Sequence, residues 1–218
     1  MDVVKDAVTL DPERALALSY AAVEARAALA TLFAMDDRLR HIVRVARDPT
    51  IGAIRLTWWA DALERLDTAP PPAEPLLTAV ARELLGRGVT GASLASTVDG
   101  WDRLLDPTSL DLAAFAEERG GRLFEAAAVV LGQTDARVAT VGQGWALADL
   151  ARGWPSWAVE AHRSAGERLT GAFRAPWPRP LRPLSALGLI ARFDAAGDQR
   201  IGSPGRVLRL MRHRLTGH

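Results

Sequence analysis

The chain has 218 residues, enough for one domain with a sizeable core and too few for two comfortable ones. Its 27 basic and 26 acidic side chains give a net charge of +1, without the basic excess of a dedicated nucleic-acid binder. The absence of cysteine excludes disulfides, thiolate catalysis and cysteine-held metals, and the 49% apolar, 24% charged composition is that of an ordinary globular protein.

The first residues carry Asp2 and Asp6 and no apolar core of a secretory leader. No apolar run approaches the ~18 residues that span a bilayer, so the expectation is a cytoplasmic protein without a transmembrane segment. Asp11-Pro12-Glu13 reads as a helix start, an N-cap acid followed by proline and an acid in the first turn. Helical periodicity then continues to about Ala46 through Leu29, Leu32, Phe33, Leu39, Ile42 and Val43, with a break expected between Tyr20 and Glu24.

Asp48-Pro49 starts the next helix, which is expected to set Ile54, Trp58, Ala62 and Leu63 on one face and to end near Leu66. The proline-rich residues 68–75 are a stiff connection within the domain. Helices follow at about 75–86, 92–105, 111–131 and 134–152. Residues 174–183 contain four prolines and are extended, and two shorter helices occupy about 183–195 and 204–215. No segment alternates with period 2 and no internal repeat is visible. The fold class is all-α, a single domain over 1–218 with about eight or nine helices.

Three stretches carry a resemblance. They are Leu32-Phe33-Ala34-Met35-Asp36-Asp37 with Ile54-Arg55-Leu56-Thr57-Trp58-Trp59-Ala60-Asp61, then Phe115–Leu123 with Gly120-Gly121, then Gly142-Gln143-Gly144-Trp145 through Asp149 to Arg152. In order and spacing, over roughly residues 12–155, the chain resembles the squalene/phytoene synthase family. The resemblance implies an isoprenoid-synthase-like helical bundle around a central cavity, with two aspartate-rich helices facing each other across its mouth. In active members each helix holds Asp-x-x-x-Asp, and the acids bind magnesium ions that grip a prenyl diphosphate.

Here Asp36 and its neighbour Asp37 match the start of the first motif, but its closing position is Arg40, and the second helix offers Gly153 and Trp157. Asp149, one turn before Gly153, is the candidate second-helix acid. Arg40 is expected to pair with Asp36 at i,i+4. The metal expectation is therefore none, with magnesium retained only if a rearranged or partner-completed prenyltransferase site operates.

Arg40, Arg44, Arg55 and Arg152 are candidate phosphate or anion ligands, through guanidinium forks; the plainer reading is ion pairing with nearby acids. Asp99, Asp102 and Asp106, and the run Glu117-Glu118 next to Arg119, read as solvated or arginine-paired faces. Trp58, Trp101 and Trp145 are expected in the core. Trp154, Trp157 and Trp177 are expected nearer the surface, Trp177 with Arg174, Arg179 and Arg182 forming a candidate peripheral membrane or partner contact; the plainer reading is that the Pro-Trp-Pro loop packs over a bundle end. The expected function is a non-catalytic binding or assembly module resembling the family's degenerate, assembly-factor-like branch, with a prenyl or lipid ligand or a protein as partner. The alternatives are a prenyltransferase of isoprenoid biosynthesis and an isoprenoid or lipid carrier or sensor.

Overall fold

The computed structural model describes residues 12–218 except 107, 109 and 199. The N-cap expected at Asp11 lies outside the described residues. α1 (Pro12–Leu18) and α2 (Val23–Val45) are separated at the expected break, and α2 buries Leu29, Leu32, Phe33, Leu39, Ile42 and Val43 as its periodicity requires. α3 (Pro49–Arg65) starts where Asp48 accepts a hydrogen bond from the Thr50 amide at 2.8 Å, a side-chain N-cap followed by proline. The proline-rich connection leads to α4 (Pro75–Glu83), whose N-cap Glu74 accepts from the Leu77 amide.

The segments expected as single helices over 92–105 and 111–131 are subdivided. The first becomes α5 (Gly91–Ala95), α6 (Val98–Asp102) and a 3₁₀ turn. The second becomes α7 (Leu112–Phe115), a π-helical segment over Ala116–Gly121, and α8 (Arg122–Val130). α9 (Arg137–Gly153) is the hub, with α8, α10, α11 and the π segment packed on it. α10 (Ala158–Leu169), α11 (Arg182–Ala195) and α12 (Pro204–Thr216) complete the bundle, and no strand occurs among the described residues.

α10 is an addition to the expected helices: its inner positions are Ala161, Ala165 and Leu169, a weak apolar signal at helical spacing. It reaches α9 closely through Gly144, where an added Cβ would stand 2.5 Å from Leu169 Cγ.

Two aromatic assignments are corrected. α3 turns Gly52, Leu56, Trp59 and Leu63 inward and leaves Ile54 and Trp58 outside, Trp58 being 47% exposed. Of two adjacent tryptophans only one can face the core of a helix, and Gly52 sets which: its lack of a side chain admits Leu105. Trp177, expected at the surface, is buried. Its indole N–H donates to Ala172 O at 3.0 Å, its amide to Gly217 O at 3.0 Å, and the Arg137 guanidinium lies 4.1 Å from its ring. Arg137 also donates to Ala175 O and Pro176 O, so it latches the extended segment inward and leaves no membrane contact at Trp177. Trp101 and Trp145 are core as expected.

α12 is tied down by charge and by a histidine. Arg206 is buried with its guanidinium on Glu13 (2.9 and 2.6 Å) and Asp194 (2.9 Å), and the Gly202 amide donates to Glu13 at 2.9 Å. Nearby, Ser185 Oγ and His213 Nε2 are 2.7 Å apart, both residues buried. Burial, with Arg182 close by, pushes the His213 pKa down to about 4, against the hydrogen bond to His218, which raises it. The unfolded chain therefore binds a proton near the ordinary histidine pKa that the fold refuses until pH 4. Stability from this residue is present above pH 6.5 and is lost as pH falls toward 4. Urea titrations should show roughly 2 kcal/mol of such loss after allowing for solvent screening. In His213→Gln that component of the pH dependence should disappear.

Candidate functional site

The site is assembled by α2, α6, the π segment and α9, and each contributes for a local reason. Asp36 lies on the apolar stripe of α2 with Leu32, Phe33 and Leu39, and Asp149 lies on the fully packed side of α9, so both carboxylates enter the interior. Gly120 and Gly142 let the π segment and α9 touch backbone to backbone. A Cβ on either glycine would meet the other's carbonyl oxygen at 2.2 or 2.1 Å. Gly100 on α6 similarly admits the Arg119 backbone, 2.6 Å from its would-be Cβ. These clearances seat Arg119 between the two acids.

Arg119 is 1% exposed and joins both carboxylates. Its Nε and Nη2 donate to Asp36 at 3.2 and 2.9 Å, and Nη2 lies 2.7 Å from Asp149 Oδ2. Trp101 Nε1 donates to the same Asp36 at 2.9 Å. The Arg119 guanidinium carbon lies 4.0 Å from the Trp101 ring centroid and 4.8 Å from that of Trp145, so aromatic faces supplement its two ion pairs. Asp149 also accepts from Arg40 Nη1 at 2.8 Å and from Arg152 Nη2 at 3.4 Å. Burial opposes the Asp149 charge, but Arg119, Arg40 and Arg152 together outweigh it and hold its pKa well below the carboxylate range.

The predicted residues are partly gathered here. Asp36, Arg40, Asp149 and Arg152 converge, Arg152 also standing 3.5 Å from Asp194. Arg40 does not pair with Asp36; it crosses to Asp149, because Asp36 is already held by Arg119 and Trp101. Asp37 turns to α1 and pairs with Arg14 at 3.0 Å; its burial raises its pKa against the lowering effect of Arg14. Arg44 and Arg55 are exposed and stand apart from the cluster. Asp99 pairs with Arg122 and Asp106 accepts from Thr108, consistent with surface roles.

Arg119 departs from the expected solvated or arginine-paired face, being 1% exposed. The signal for it was its place four residues after Phe115 and four before Leu123, on an apolar face. Arg40 and Gly153 also meet across the two helices: a Cβ at Gly153 would stand 2.9 Å from Arg40 Nη2. Arg40 thus occupies the space a side chain on the opposite helix would need.

Magnesium does not fit this donor set. It requires oxygen lone pairs in octahedral array, whereas both oxygens of Asp36 and of Asp149 already face guanidinium or indole N–H groups. A dication placed there would meet three arginines at contact range. Between α2, α8 and α9 the interior is filled by Phe33, Phe124 and Trp145, with ring centroids 5.3–6.3 Å apart. No protein-family model, curated protein or solved structure matches the chain.

Proposed function

We propose that this chain is a non-catalytic relative of the squalene/phytoene synthases, serving as a binding or assembly module with a protein partner. The observation that carries the reading is the closed ion-pair set of Asp36, Arg119, Asp149 and Arg40. A prenyltransferase needs its acids free for a metal that neutralises the leaving diphosphate; here the same carboxylates are ion-paired with the protein's own cations. The Phe33, Phe124 and Trp145 packing likewise favours a module over an isoprenoid carrier, since those rings take the volume a prenyl chain would use. For a protein partner, α3 presents Ile51, Ile54 and Trp58 at i, i+3 and i+7, all exposed, on a helix that also carries Arg55, Asp61 and Glu64. Among the described residues no helix is long and apolar enough to cross a membrane.

The deciding experiment incubates purified protein with magnesium and farnesyl or geranylgeranyl diphosphate and follows diphosphate release. No release is expected, and calorimetry with the same ligands should give no heat of binding. Sustained turnover overturns the reading in favour of a prenyltransferase; stoichiometric binding without turnover overturns it in favour of a carrier. Arg40→Asp should remain inactive in the same assay, because Arg119 still occupies Asp36 and Asp149.

A further inference from the structure

α12 contains no acidic residue and carries Arg206, Arg209, Arg212 and Arg214. Its inner side is fixed by buried Arg206, Leu210 and His213. Its outer side shows Leu208, Met211 and Leu215, which are 68%, 54% and 79% exposed. At i, i+3 and i+7 these form one stripe, and at ~100° per residue Arg212 and Arg214 fall on its two flanks. Ile201, just before the helix, is also exposed. Arg209 is held by Asp198 at 3.0 Å and Arg214 lies over the Tyr20 ring, whereas Arg212 has no ion-pair partner among the described residues.

We propose that α12 is an interfacial helix that docks the protein on an anionic lipid surface. The stripe is a ridge with cations on both flanks, and the helix has no carboxylate to repel headgroup phosphates. Its apolar side chains would enter the acyl boundary while the arginines reach back to the phosphates and bind them with two N–H groups each. The α3 stripe differs in this respect, since Asp61 and Glu64 give it mixed charge. The buried Arg206 network gives α12 a rigid base, so the ridge needs no folding step before it binds. This inference stands independently of the proposed module function.

The test is co-sedimentation of the full chain with phosphatidylcholine vesicles containing about three parts in ten phosphatidylglycerol, beside pure phosphatidylcholine vesicles. Binding to the anionic vesicles alone, weakening as salt rises, is expected. The pair Leu208→Glu and Leu215→Glu should weaken it at least about tenfold, and Arg212→Gln about fivefold. These side chains are exposed, so the melting temperature should not move. Trp58→Glu should bind like the wild type. Failure to bind anionic vesicles, equal binding to neutral ones, or indifference to the leucine substitutions overturns the proposal. So does a dimer in sedimentation velocity that the leucine substitutions dissolve, which would assign the ridge to a second copy of the chain.

Discussion

Arg119→Met is expected to destabilise the fold by about 3–5 kcal/mol, because it removes the shared cation from two carboxylates in the interior. Asp36 and Asp149 are 1% and 4% exposed, so water cannot replace the lost partner. Arg40 and Arg152 would still support Asp149, which makes Asp36 the more strained of the two in the variant. The loss should shrink toward acid, where Asp149 no longer needs the Arg119 cation, so the stability of the variant relative to wild type rises as pH falls. Adding Asp36→Asn and Asp149→Asn to Arg119→Met should recover more than half of the loss. Urea denaturation measures all three proteins, and a single variant within about 1 kcal/mol of wild type would remove Arg119 from its central place.

The second large effect is steric. Gly142→Ala should cost at least about 3 kcal/mol, because the new methyl would meet backbone rather than a movable side chain. Its carbon would stand 2.1 Å from Gly120 O and 2.8 Å from Phe124 Cβ. Gly120→Ala fails against Gly142 O for the reciprocal reason. Either substitution alone separates α9 from the π segment, so the double variant should lose much less than the sum of the singles. Gly171→Ala is the contrast: nothing lies within 4 Å of its would-be Cβ, and thermal melts should find it close to neutral.

Much of the bundle was legible because its strongest helices announce themselves. α2 has a dense apolar stripe, α3 a capped proline start, and α12 a clear helical pattern with start and stop signals. What was hidden depended on partners distant in sequence. The helical pattern points Trp58 inward, but Trp59 is the buried one, on the side where Leu105 fills the gap left by Gly52. Trp177 among prolines and arginines has the composition of a surface loop; it is buried because Arg137, on α9, satisfies the carbonyls of its segment.

The candidate site divides in the same way. The acids Asp36 and Asp149 and the positions of Arg40 and Gly153 were readable, and the last two do stand against each other. Arg119 was not, because Glu117-Glu118-Arg119 looks like a charged run. Two carboxylates on apolar helix faces demand a buried cation, and that demand, set beside the Phe115–Arg119–Leu123 spacing, is the argument that would have found it.

The shared guanidinium also constrains the order of assembly. Asp36 and Arg119 are 83 positions apart, so no local segment can complete the set. With α2 docked but α9 absent, Arg119 has one carboxylate; with α9 docked but α2 absent, Arg119 and the Trp101 indole lose their common acceptor, Asp36. Each partial structure leaves donors of Arg119 or Trp101 in the interior without their acceptors and is raised in free energy, while the complete one supplies both carboxylates. The three segments are thereby coupled into a single cooperative unit, whose amides should open together and not helix by helix. A cluster that resembles a catalytic centre in composition thus acts on the folding landscape, suppressing half-assembled states of a bundle otherwise built from separable helices.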